Sequence, residues 1–132
     1  MIKKSMETQF VNLELDNGIL IFTYKPEIEL TLDVVKNAIE ARLKFTEGKS
    51  YPVLIKYNDI KGINREAREF LSSPEGVKGV IAGALLSNSV FNAFLGNFFI
   101  RVTVINPPVP TKLFNDEAKA LKWLEQYKDK VL

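Results

Sequence analysis

The chain contains neither cysteine nor histidine. Without cysteine there is no disulfide framework, no thiol nucleophile and no thiolate metal site. Without histidine the commonest general base near neutral pH and the commonest metal ligand are both missing. An all-carboxylate magnesium site would need clustered acids, and the sequence offers no such cluster. No cofactor or metal is therefore expected. An excess of one charge is also lacking, because 18 basic and 16 acidic residues leave a net charge of +2. The two signs interleave, and the only adjacent basic pair is Lys3-Lys4. Neutralising a run of phosphates needs a dense basic stripe, so nucleic acid is not an expected partner.

Long apolar runs are missing too. A membrane span needs roughly 20 mostly apolar residues. The most apolar stretch, Val77 to Ile105, is broken by Lys78, Ser87, Asn88, Ser89, Asn92, Asn97 and Arg101. It reads as a core strand followed by a helix. The opening MIKKSMETQF has no apolar segment of the kind a secretory signal requires. The expected location is the cytoplasm.

What is present fits one globular domain. The chain has 132 residues, 46% of them hydrophobic and 26% charged. Residues 1–9 are a candidate mobile end. Val11 to Leu15 alternates apolar and polar, as a half-buried strand does. Asp16-Asn17-Gly18 supplies turn residues able to adopt positive φ, and Ile19 to Tyr24 is a β-rich return strand. Ile28 to Leu30 adds a short extended piece.

Thr31 is an N-cap with Asp33 in the first turn. Leu32, Val35, Ile39 and Leu43 then form one apolar row, widened by Val34, Ala38, Ala41 and Phe45. Gly48 is a natural C′ residue. Tyr51 to Tyr57 reads as a central parallel strand covered on both faces. Asn64 caps a short helix to about Ser72, and Ser73-Pro74-Glu75 is a second helix start. Val77 to Leu86 contains another buried strand. Val90, Phe91, Phe94, Leu95, Phe98, Phe99 and Val102 recur at helical spacing. Thr111 to Phe114 is a short strand, and Asn115 or Asp116 caps a last helix. The expected fold is α/β: a mixed sheet with an N-terminal antiparallel hairpin and about four helices.

This order of elements resembles the STAS/SpoIIAA-like superfamily, which includes anti-sigma-factor antagonists. The likeness rests on the helix-strand-loop-helix passage from Thr31 to Ser72, on the strand and loop YPVLIKYNDIKGIN, and on the closing KLFNDEAKALKWLEQY. The closing segment is similar to uncharacterised bacterial SpoIIAA-like proteins. The resemblance implies a regulatory domain that binds a protein partner. In the antagonists, a phosphorylatable serine follows the central strand. Here that region reads Lys61-Gly62-Ile63-Asn64-Arg65-Glu66-Ala67, and no Ser, Thr or Tyr lies between Asn58 and Phe70. The resemblance therefore implies the fold and a binding surface without the switch serine.

The candidate partner-binding loop comprises Asn58, Asp59, Lys61, Gly62, Asn64 and Arg65, at the C-terminal end of the central strand, where open α/β sheets place ligands. The competing reading is ordinary turn chemistry and capping. Lys56 interrupts an otherwise buried run. It is either an anion contact or a side chain that reaches solvent. Phe91, Phe94, Leu95, Phe98 and Phe99 make a wide apolar arc. It is open to three readings: core, homodimer contact or a pocket for a small apolar ligand. No residue set stands out as catalytic. The leading expectation is a non-enzymatic interaction domain, and the alternative is a binder of an apolar or amphipathic ligand.

Overall fold

A computed structural model describes residues 4–57, 59–87 and 109–128. Its centre is a six-stranded mixed sheet in the order β1-β2-β3-β5-β7-β8. Strands β1 (Lys4–Glu7), β2 (Val11–Asp16) and β3 (Ile19–Tyr24) form an antiparallel meander. Strands β5 (Tyr51–Lys56), β7 (Val80–Leu86) and β8 (Thr111–Phe114) extend it in parallel from β3. The short β4 (Glu29–Leu30) and β6 (Gly62–Ile63) pair in parallel beside the main sheet. Three helices occur among the described residues: α1 (Leu32–Phe45), α2 (Arg65–Leu71) and α3 (Glu117–Glu125).

Local chemistry explains most of these boundaries. The β2–β3 turn holds Asn17 at φ 55 and Gly18 at φ 79, the left-handed pair that a two-residue hairpin needs. Thr31, Asn64 and Asp116 cap the three helices by accepting from the amides of Val34, Ala67 and Lys119. Pro52 has no amide hydrogen to give a ladder, and it sits in central β5 where the register with β7 shifts at Tyr51/Pro52.

The sheet is covered unequally. Val11, Leu13, Leu20, Phe22 and Val53 face Val35, Ala38 and Phe45 of α1 and Ala67 of α2. On the opposite face Ile19, Leu54, Ala82, Ala84 and Leu86 pack under Ala120 and Leu124 of α3. Helix α3 lies over β5, β7 and β8. The meander's side of that face carries Asn12, Glu14, Asp16 and Thr23, the polar half of the strand alternation.

Four expectations change. The sheet gains β1 over Lys4–Glu7, which the polar sequence KSME did not signal. The expected helix start at Ser73-Pro74-Glu75 is a turn instead. Ser73 accepts from the Gly76 amide, and the chain reaches Gly79 at φ 80 before β7 begins. A Cβ at buried Gly76 would strike the carbonyl of Phe70, so this segment folds back onto the end of α2 and has no room to wind a new helix. The C′ residue of α1 is Glu47, at φ 55, and Gly48 follows at C″. Their amides bond to Lys44 O and Leu43 O, the pair of bonds of a Schellman motif. Finally, about four helices were expected. The phenylalanine helix among them, with Phe91, Phe94, Leu95, Phe98 and Phe99, lies outside the described residues.

Candidate functional site: the rim at the C-terminal ends of the strands

Strands β3, β5, β7 and β8 are parallel, so their C-terminal ends share one rim. Two loops leave it side by side, one from β3 to α1 and one from β5 to α2. Backbone bonds tie them together. Glu27 N donates to Asp59 O at 2.7 Å, Lys61 N to Ile28 O at 2.9 Å, and Asn64 N to Leu30 O at 3.1 Å. The β4–β6 ladder lies among these bonds, with Glu29 opposite Gly62 and Leu30 opposite Ile63. Leu30 and Ile60 are buried beneath and anchor the pair to the core. The polar backbone groups of both loops are thus largely satisfied within the rim, which a mobile loop would leave to water.

The side chains point the other way. Asp59, Lys61, Asn64 and Arg65 are exposed. Asn64 Oδ1 caps α2, accepting from Ala67 N at 2.9 Å. Arg65 Nε donates to Glu69 Oε1 at 3.0 Å, one helical turn on, and its side chain is 83% exposed. A Cβ at Gly62 would stand 3.4 Å from the Glu29 carboxylate, an ordinary contact, so the ladder itself does not demand glycine there. Asn58 lies outside the described residues. The loop thus brings together Asp59, Lys61, Gly62, Asn64 and Arg65, and it recruits Glu27 and Glu29 from the neighbouring loop, which sequence reasoning did not include.

Lys56 lies on the other face of the sheet. Its ammonium meets Glu117 Oε1 at 2.6 Å, and its side chain keeps 29% exposure. The pair sits on the wall of an open trough of about 570 Å³ over the meander, which is also lined by Asn12, Ile21, Thr23 and Leu121. Glu117 is the acidic first-turn residue of α3, so the ion pair also pins that helix to β5.

Among the described residues, strongly perturbed titration is confined to the interior. Burial pushes the Tyr57 hydroxyl up to about 12 and raises Tyr24 further. Burial also lowers Arg42 to about 10, opposed by the nearby Tyr24. Arg42 is 5% exposed and its Nη2 donates to Lys78 O at 2.7 Å. Its spacing from Val35, Ala38 and Ile39 follows the apolar row of α1, which is the signal that could have marked it as buried. On the surface, a hydrogen bond and charge from Lys25 lower Glu7. Among the described residues, none of these shifted groups titrates near neutral pH.

The mixed sheet, the opening meander and the helices packed on both faces define a SpoIIAA-like α/β domain. The chain belongs to a family known as a domain of unknown function, DUF7793, whose model matches residues 13–128. The fold is shared with an uncharacterised protein of the DUF3478 family from Shewanella loihica PV-4, described as having a SpoIIAA-like fold. That match has 18% identity, covers 93% of this chain and 92% of the other, and has a TM-score of 0.57. At that identity the likeness concerns the fold alone. No curated protein matches the chain. Among the described residues no helix is long and apolar enough to cross a membrane.

Proposed function

We propose that this domain is a non-enzymatic, regulatory protein-interaction module that meets its partner through the rim loop from Asp59 to Arg65. The observation that carries this reading is the backbone stitching of the loop to the β3–α1 connection. A surface ordered before contact loses little conformational entropy on binding, which favours recognition by a protein surface. The absence of histidine and cysteine supports a binding role over a chemical one. Asn64 holds the helix-capping position, and its side-chain oxygen is spent on the Ala67 amide. The module therefore presents a constitutive surface, with no phosphorylatable group at that point.

Affinity capture from extracts of the source cells, comparing the wild type with an Asp59→Ala/Arg65→Ala variant, tests this. The expected result is loss of a specific co-purifying protein from the variant. Equal recovery of the same proteins by both would refute the loop assignment.

A further inference from the structure

The two ends of α1 lie in opposite charge environments. At its N-terminal end the rim exposes Glu27, Glu29, Asp33, Asp59 and Glu66. Lys61 and, one turn along α1 from Asp33, Lys36 offset them in part, since Arg65 is matched by Glu69. At its C-terminal end the chain exposes Lys4, Lys44, Lys49 and Lys78 against Glu47 and Glu75. That end is held together by specific contacts. Lys4 Nζ donates to Phe45 O at 2.9 Å, and Arg42 Nη2 binds Lys78 O at 2.7 Å. The Tyr51 amide donates to Gly79 O at 3.1 Å. The 14 residues of α1 separate the two ends by about 20 Å at the helical rise.

Helix dipoles account for part of this pattern, because acids at helix N-termini and cations at C-termini are individually favourable. They explain Asp33, Glu66 and Lys44. They do not explain Glu27, Glu29 and Asp59 on the rim, or Lys49 and Lys78 at the other end, all of which lie outside helices. Glu27 even occupies a left-handed backbone position, φ 63, that glycine or asparagine would adopt at lower cost.

We propose that copies of this chain associate head to tail, the acidic rim of one docking on the basic end of the next. The occupant is a second copy because each end supplies what the other lacks. Such a contact is heterologous, so it builds open chains or closed rings of subunits rather than a two-fold dimer. It also covers the rim loop, so self-association and capture of a foreign partner exclude each other. Long-range attraction between exposed charges is screened over about 10 Å at ~0.1 M salt and about 30 Å at ~0.01 M, so the association belongs to low ionic strength.

Sedimentation equilibrium of the full chain at low and high salt tests this, together with two folded charge-reversal variants. One is Glu29→Lys/Asp59→Lys on the rim, and the other is Lys49→Glu/Lys78→Glu at the far end. The wild type should associate with rising concentration at low salt, and its association constant should fall at least ~10-fold at high salt. Each variant alone should stay monomeric, and their equimolar mixture should associate again, because the unaltered basic end of the rim variant then meets the unaltered acidic rim of the other. A monomeric wild type at low salt, association indifferent to salt, or a mixture that stays monomeric would each overturn the proposal. None of those results touches the partner reading, whose readout is capture by the Ala variant.

Discussion

Strands β2 and β5 have six residues each and sit in the same sheet, yet they face different surroundings. β5 lies between parallel neighbours with α1 on one face and α3 on the other, and Pro52, Val53 and Leu54 are buried in succession. β2 lies in the meander, where among the described residues helix covers one face only, and Val11 and Leu13 are buried while Asn12 is exposed. A continuous apolar run and a strict alternation are thus the sequence signatures of two- and one-sided burial. The strand buried on both sides is also the one whose C-terminal end delivers the rim loop, so a rigid element positions the candidate surface.

Mutations at matched positions sharpen this contrast. Leu54→Ala removes a fully buried side chain from beneath α3 and should lower unfolding free energy by about 2–5 kcal/mol in urea denaturation. Asn64→Ala leaves an α2 amide without its cap and should lower it by about 1 kcal/mol. Asn12→Ala, on the open face of the meander, should change stability by no more than about 0.5 kcal/mol. A loss at Asn12 comparable to that at Leu54 would mean that the meander's second face is covered after all.

The pH dependence probes the buried end of β5. Tyr57 ionises near 10 in the unfolded chain and about 12 when folded, so the folded state retains the proton that the unfolded state gives up. Its contribution is intact below pH ~10 and is lost as pH rises toward 12. Tyr24 acts in the same direction. Arg42 acts oppositely, because its folded value of about 10 lies below its ordinary one and deprotonation relieves its burial. Tyr57→Phe should therefore flatten the alkaline fall in stability measured by denaturant titration between pH 9 and 11. An unchanged slope would show that the Tyr57 hydroxyl is not shifted by burial.

Much of this architecture was legible because local chemistry and tertiary context agree. The alternation of β2, the Asn17-Gly18 turn, the amphipathic stripe of α1 and the caps Thr31, Asn64 and Asp116 all act within a few residues. The missed features depend on distant partners. β1 is a polar edge strand whose only signal is its pairing with β2. The β4–β6 ladder joins segments over 30 residues apart with two residues each, too short for any periodicity to register. Lys56 read as an exception in a buried run, but its partner Glu117 is supplied by α3 from the far end of the chain. Of the candidate loop, the position and the capping role of Asn64 were readable. The contribution of Glu27 and Glu29 was not, because it follows from the ladder.

The central claim is that the rim is built before any partner arrives. Native-state amide hydrogen exchange tests it directly at Glu27, Lys61 and Asn64, whose amides bond across the two loops. Protection at these three amides should approach that of the β5 ladder. Exchange at the rate of an open loop at all three would contradict it.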